Sequence, residues 1–132
     1  MSAKDNKAIV RRFFEEVFNK RNLTLIDEFI APNYTNHNSA IQISGLASAR
    51  ETIAAELRAF PDLRTTIEDI IAEGDKVVVR CTDHFTRQSD GATVHLPWIE
   101  ILRLENGRAV EAWFEADTTP VLSDINAALG RH

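Results

Sequence analysis

A predicted β-hairpin over residues 95–117 constrains this chain more than any other feature. The segment reads HLPWIEILRLENGRAVEAWFEAD, with apolar-rich stretches on both sides of Asn106-Gly107. This dipeptide favours a type I′ turn, because both central residues of that turn must adopt positive φ angles. A two-residue turn at this point pairs Glu105 with Arg108, and that pair predicts the register of the two strands.

The predicted register gives the hairpin two different faces. One face is almost purely apolar and carries Ile99, Ile101, Arg103, Val110, Ala112 and Phe114. The other face interleaves two tryptophans with four carboxylates, and it carries Leu96, Trp98, Glu100, Leu102, Glu111, Trp113, Glu115 and Asp117. An ordinary solvated face would carry Lys, Thr and Ser, so we expect the tryptophan face to line a cavity or an interface.

Apolar residues at helical spacing predict three helices before the first strand. We expect capping boxes at Ser2 with Asp5 and at Ser48 with Glu51 to open the first and third helices. The predicted helices span about 2–19, 22–31 and 48–60. The Asn-rich segment 33–44 has no period and is predicted to be a loop.

Two strands, at about 64–72 and 76–86, precede the hairpin, and a short helix follows it near residues 122–129. This order predicts a single α+β domain over residues 1–132. Three N-terminal helices would pack on a curved four-stranded antiparallel sheet, with a short C-terminal helix. Such a sheet, wrapped on the first helix, would enclose a cone-shaped pocket.

Composition excludes several classes of function. The chain has 132 residues and a net charge of −5, which argues against nucleic acid as a partner. The polar start and the lack of a long apolar run predict neither a leader peptide nor a membrane-spanning segment. Cys81 is the single cysteine, so we expect no internal disulfide and a reducing, cytoplasmic location.

Three stretches of the chain match the pattern of a known family. They are VRRFFEEVFNKRNLTLIDEFIAPNYTNHN, FPDLRTTIEDIIAEGDKVVVRCTDHFT and IEILRLENGRAVEAWFEAD, which with the helical tail cover the chain from about Val10 to Leu129. In this order they resemble the SnoaL-like polyketide cyclases, also called ester cyclases, of the NTF2-like superfamily. That superfamily includes ketosteroid isomerase and scytalone dehydratase, and its fold also hosts hydroxylases and plain binders.

The resemblance implies candidate catalytic residues. Asp117 follows the Trp-containing strand, as an aspartate does in the family, and desolvation would raise its pKa and let it carry a proton. Its structural alternative is a cap on the turn at 118–120 or on the last helix. His37 and Tyr34 match a Tyr-x-x-His element that would orient a carbonyl or an enolate. A buried His37 that holds a loop is the structural alternative.

The remaining candidates would line the pocket. Glu100 could be a second pocket carboxylate, or it could belong to an ion-pair network with Arg80 and Arg103. The aromatic candidates are ligand walls in one interpretation, and core or dimer-interface anchors in the other. They are Phe14, Phe18, Trp98 and Trp113.

No motif for a metal or a cofactor is present in the sequence. His37, His84, His95 and His132 lack metal-binding spacing. The chain also has no phosphate-cradling Gly-rich loop and no Gly-x-Ser-x-Gly element. We therefore expect a chemistry that needs neither a metal ion nor a cofactor.

The leading hypothesis is a cofactor-independent acid/base enzyme on a small hydrophobic carbonyl compound, of the polyketide-cyclase-like kind. Aldol cyclisation, isomerisation or dehydration would fit. The alternative is a non-catalytic module that binds a small hydrophobic ligand or dimerises. We expect a homodimer through the sheet, because apolar residues occupy both faces of the hairpin.

Overall fold

Six β-strands form one mixed sheet in the described part of the chain, residues 1–38 and 40–131. Ser39, inside the predicted loop, and His132 lie outside the described residues. In this computed structural model the helices are α1 (Ala3–Phe13), a π-helix (Phe14–Asn19), a 3₁₀ turn (Leu23–Leu25), α2 (Ile26–Phe29), α3 (Leu46–Ala59) and α4 (Leu122–Ala128). The strands are β1 (Ile30–Asn36), β2 (Ile43–Ser44), β3 (Arg64–Glu73), β4 (Lys76–Thr86), β5 (Thr93–Glu105) and β6 (Arg108–Ala116).

The first helix begins as predicted. The Ser2 hydroxyl accepts the Asp5 backbone N–H, and the Asp5 carboxylate accepts the Ser2 N–H, which completes a capping box. The helix then widens into the π-helical turn of Phe14–Asn19, and this turn directs Phe14 and Phe18 toward the interior. The predicted cap of α3 is wrong, because the helix begins after Gly45 and Ser48 lies inside it.

The prediction of a four-stranded antiparallel sheet is correct for β3–β6 and wrong for the whole sheet. The strand order is β2-β1-β6-β5-β4-β3, and β1 runs parallel to β6. Strand β1 lies in the segment predicted as a loop, where no alternation of apolar residues marks a strand. Its register on β6 shifts between Ile30 and Thr35, around Pro32, which has no N–H to give to a ladder.

The predicted hairpin register holds at the turn and fails beyond it. Glu105 pairs with Arg108, as expected, but Arg103 pairs with Glu111. Val110 is the extra residue of a bulge, so every later residue of β6 changes face. The bulge brings Ala112 and Phe114 to the inner face with Trp98 and Glu100, and it turns Glu111, Trp113 and Glu115 to the outer face.

We expect Gly107→Val to destabilise the protein by about 1–3 kcal/mol, because a β-branched residue holds positive φ at a high cost. Asn106 has φ 51° and Gly107 has φ 79°, as a type I′ turn requires. Gly107→Asn is the matched control, since asparagine tolerates this region better. Chemical denaturation measures both, and equal losses for valine and asparagine would contradict a backbone origin.

Candidate active site

An internal cavity of about 120 Å³ lies between the inner face of the sheet and the helices. Among the described residues, the four α-helices, the π-helical turn and the six strands each contribute to its lining. Its walls are aromatic, and they include Phe13, Phe14, Phe18, Phe29, Phe60, Phe85, Trp98 and Phe114. An apolar cavity of roughly 150 Å³ holds a benzene-sized ring, so this space suits a ring-sized compound.

Three carboxyl groups enter this apolar cavity, each from a different element. Glu100 points inward from β5, between Trp98 and Leu102, and is only 7% exposed. Asp83 lies on the inner face of β4, and Glu56 lies on the cavity stripe of α3. A carboxylate is seldom placed in an apolar cavity without a partner of opposite charge. We therefore expect the cavity to shift the pKa values of these carboxyl groups.

Burial raises the pKa of Glu100 and of Glu56 to about 8. The charge of Asp83 adds to the rise at both glutamates, while the hydrogen bond from Asn36 opposes it at Glu100. Burial also raises the pKa of Asp83, and contacts from Trp98 and Thr65 partly offset that rise. The two glutamates are therefore mainly protonated acids near neutral pH.

Asn36 holds Glu100 and Tyr34 together. Its Nδ2 donates to the Tyr34 hydroxyl at 3.0 Å and to Glu100 Oε2 at 3.2 Å. Tyr34 is buried, and burial with the nearby Glu100 raises its pKa well above the ordinary value. Tyr34 therefore keeps its proton, and the tyrosine hydroxyl and the protonated Glu100 form a pair of neighbouring O–H donors.

Asp83 has a different set of neighbours. Thr65 Oγ1 donates to its Oδ1 at 2.7 Å. A hydrogen bond from the Trp98 side chain also lowers the pKa of Asp83. The Asp83 carboxyl is therefore stabilised by two neighbouring side chains, Thr65 and Trp98.

The structure brings five of the predicted site residues to the cavity: Phe14, Phe18, Tyr34, Trp98 and Glu100. The ion-pair alternative for Glu100 is wrong. Arg80 binds Asp69 at 2.7 Å, and Arg103 binds Glu105 at 2.8 Å and Glu111 at 3.0 Å, all on the outer face. Glu100 has no cation beside it among the described residues.

Asp117 lies outside the cavity lining, contrary to its predicted place in the pocket. Strand β6 ends at Ala116, so Asp117 is exposed, and its carboxylate accepts the Thr119 backbone N–H at 3.1 Å. This is the Asx turn of the structural alternative.

His37 and Trp113 lie together on the outer face of the sheet. The His37 ring stacks on Trp113 with centroids 5.4 Å apart, and its Nε2 lies 2.8 Å from Glu111 Oε2. Parallel pairing of β1 with β6 brings this about, since the His37 N–H donates to the Ala112 carbonyl at 2.7 Å. The structure therefore brings neither His37 nor Asp117 to the buried carboxyls.

Glu56, Asp83 and Asn36 were not expected at the site, although Glu56 and Asp83 each had a signal in the sequence. Glu56 falls three residues after Ile53 and four before Phe60, on the buried stripe of the third helix. Asp83 takes the next alternating position of β4 after the buried Val79 and Cys81. In both cases an acidic residue takes a position at which the sequence pattern predicts an apolar one, and this is a signal for a functional side chain.

Other kinds of site find no support in the described residues. Residues 1–38 and 40–131 contain no group of three or more His, Cys, Asp and Glu side chains that could hold a metal ion. Cys81 is fully buried, and burial raises the pKa of its thiol to about 12, which leaves it protonated. None of the helices in the described ranges is long and apolar enough to cross a membrane.

Comparison with known proteins gives a family and a fold. A family model described as a SnoaL-like domain matches residues 10–112. None of the curated proteins compared with the chain matches it.

Solved structures share the fold over nearly the whole chain. A candidate SnoaL-like polyketide cyclase from Jannaschia sp. CCS1 has 23% identity and a TM-score of 0.82, covering 95% of this chain and 94% of its own. AclR, a candidate hydroxylase from Streptomyces galilaeus, has 26% identity and a TM-score of 0.79, covering 96% and 98%. A candidate polyketide cyclase from Acidithiobacillus ferrooxidans has 25% identity and a TM-score of 0.80, covering 97% and 99%.

Proposed function

Because this chain belongs to the SnoaL-like domain family, we propose that it is a cofactor-independent acid/base enzyme acting on a small hydrophobic carbonyl compound. The observation that carries the proposal is the pair of glutamic acids that line an aromatic cavity, Glu56 and Glu100, whose pKa values are raised to about 8 there. A general acid or base works best when its pKa lies near the working pH. Family relatives described as candidate polyketide cyclases are consistent with carbonyl chemistry.

The two glutamates take different roles because their surroundings differ. Glu100 is bound by Asn36 beside the Tyr34 hydroxyl, so it is the proposed acid toward a carbonyl oxygen. Glu56, which lies on α3 and not on the sheet, is the proposed base in its ionised form. The charge of Asp83 makes Glu56 a stronger base by raising its pKa further.

The proposed step converts a ketone to its enol. The Glu56 carboxylate takes a proton from the carbon beside the carbonyl, and the C–H electron pair forms the carbon–carbon double bond. The carbonyl π electrons move to oxygen, which takes the proton of Glu100. Glu56 ends protonated and Glu100 ends ionised, so charge and atoms balance, and the enol can then add to a second carbonyl or return a proton.

We expect the protein to accelerate deuterium exchange into the acetyl methyl group of acetophenone in D₂O. Exchange needs an ionised base and a protonated acid, both with pKa values of about 8, so the rate should follow a bell-shaped curve centred near pH 8. Proton NMR measures the loss of the methyl signal. Saturable binding with exchange no faster than in a Glu56→Gln/Glu100→Gln double variant would favour the non-catalytic binder.

A second copy of the chain is the proposed partner at the outer face of the sheet. Ile71, Val78, Ile101 and Trp113 form an apolar row across four strands, and Ile71 is 64% exposed. The ion pairs of Arg80 with Asp69 and of Arg103 with Glu111 flank this row. Both signs of charge on both sides suit a two-fold contact, in which each patch meets its own copy.

We expect Ile101→Asp to convert a dimer into a monomer, because a carboxylate in the middle of the row would be buried without a partner. Ile101→Val is the matched control and should leave the dimer intact. Light scattering at micromolar concentration measures the mass. A monomer for the unaltered protein would refute the proposed interface.

A further inference from the structure

Two histidines face each other on the outer face of the sheet. His84 lies on β4 and His95 on β5, and they are direct partners in the antiparallel pairing of these strands. Their Nδ1 atoms lie 2.8 Å apart, and the ring centroids lie 5.0 Å apart. Asp83 and Phe85 line the cavity, so His84, which falls between them on the strand, points to the opposite side of the sheet. The histidine pair is therefore separate from the candidate active site.

A threonine on the neighbouring strand orients one of the two rings. His84 Nε2 lies 3.2 Å from Thr66 Oγ1. When this nitrogen carries the proton of the neutral ring and donates it to the hydroxyl, Nδ1 of His84 has a free lone pair on the side of His95. A histidine that binds a metal ion is typically held in this way, with its second nitrogen bonded to an oxygen.

The distance between the two Nδ1 atoms suits one metal ion with two adjacent nitrogen ligands. Two nitrogens at about 2.0–2.1 Å from an ion and at a right angle to each other lie about 2.8–3.0 Å apart. The right angle belongs to the square-planar geometry that Cu²⁺ and Ni²⁺ prefer, whereas tetrahedral Zn²⁺ would need about 3.3–3.4 Å. The observed 2.8 Å matches the square-planar arrangement.

The surroundings of the histidine pair are open to an ion from solvent. His95 is exposed and His84 is half-buried. The described residues supply no third His, Cys, Asp or Glu ligand at this point, so water would complete the coordination. Arg64 pairs with His84 on β3 and brings a positive charge, but its exposed side chain is screened by water and salt. The net charge of −5 favours cations over the chain as a whole.

We infer that His84 and His95 form a two-ligand binding site for Cu²⁺ or Ni²⁺ on the outer face of the sheet. The ion takes the place of the proton between the two Nδ1 atoms. That proton leaves Nδ1 of His95 and a proton from water binds its Nε2, so each ring stays neutral. The site goes beyond the proposed function and does not depend on it. The two residues are eleven positions apart in the sequence, and only the pairing of β4 with β5 brings them together.

Calorimetric titration of the whole chain with CuCl₂, NiCl₂ and ZnCl₂ in a non-coordinating buffer tests the site. We expect one Cu²⁺ per chain, and affinities that fall in the order Cu²⁺, Ni²⁺, Zn²⁺. His84→Gln and His95→Gln should each weaken Cu²⁺ binding by about 100-fold or more, because the loss of a supporting partner alone costs about 10–100-fold. Thr66→Val removes only that supporting partner and should weaken binding by about tenfold.

Two other histidines provide the controls. His37→Gln should leave the affinity unchanged, because Nε2 of His37 already lies 2.8 Å from Glu111 and its ring stacks on Trp113. His132→Gln should also leave it unchanged. Electron paramagnetic resonance of the unaltered protein with Cu²⁺ should show coupling to two imidazole nitrogens, and this readout does not depend on the folding of any variant.

Four results would overturn the inference. They are the absence of saturable Cu²⁺ binding, full binding in the His84→Gln/His95→Gln double variant, a loss in only one of the two single variants, and a spectrum without nitrogen coupling. Zn²⁺ binding as tight as that of Cu²⁺ would overturn the square-planar assignment. None of these results bears on α-proton exchange, so the proposed function stands or falls separately.

Discussion

Replacing Glu100 with glutamine is expected to slow α-proton exchange by about 100-fold or more, the usual contribution of a general acid or base. Glutamine has the same shape as the protonated acid, and its side-chain oxygen still accepts the Asn36 N–H. It cannot give a proton to the carbonyl oxygen. The fold and the cavity should therefore persist while the proton transfer is lost.

Variants of two other glutamates test whether the loss of exchange is specific to the cavity acids. Glu56→Gln should cause a loss of similar size, and the double variant should be little worse than either single one, because both residues act in the same step. Glu51→Gln changes an exposed acid on the same helix as Glu56 and should leave the rate unchanged. Full exchange activity in Glu100→Gln would remove this residue from the proposed chemistry.

The second large effect is a loss of stability as the pH rises. Glu56 and Glu100 have folded pKa values of about 8, above the ordinary Glu value of 4.5. The folded state therefore binds protons that the unfolded state has released. Their contribution to stability is fully present below about pH 4.5 and is lost as the pH rises through the folded pKa.

Unfolding free energies should fall by about 2 kcal/mol or more between pH 5 and pH 8, since each such group can contribute about 1.4 kcal/mol per pH unit. Some exposed carboxylates have lowered pKa values, including Asp27, Asp62 and Asp90. They change the unfolding free energy only at pH values below this range. Glu100→Gln should flatten the curve and raise stability at pH 8. Urea titrations at several pH values measure this, and a wild-type curve as flat as that of the double variant would contradict the raised pKa values.

Much of the fold was predictable because its strongest signals are local. The capping box at Ser2, the strand period of β4 and the turn at Asn106-Gly107 each depend on neighbouring residues. Strand β1 was missed because its pairing with β6 is long-range and its own sequence has no alternation. Tertiary pairing, and not propensity, makes that segment a strand.

The site was less predictable because one residue decides which side chains share a face. The bulge at Val110 reverses all later residues of β6, and nothing local in the sequence marks it. Glu100 and Trp98 keep the face expected for them, because they lie on β5 and the extra residue is on β6. The same bulge brings Phe114 to the cavity in place of Trp113, which was the expected residue.

The most direct test of the central claim is a titration of the glutamate side-chain carboxyl carbons by carbon-13 NMR. Spectra of Glu56→Gln and Glu100→Gln assign the two signals by their disappearance. We expect these two carboxyls to titrate as a coupled pair near pH 8, well above the ordinary Glu value of 4.5. Ordinary midpoints for Glu56 and Glu100 would contradict it.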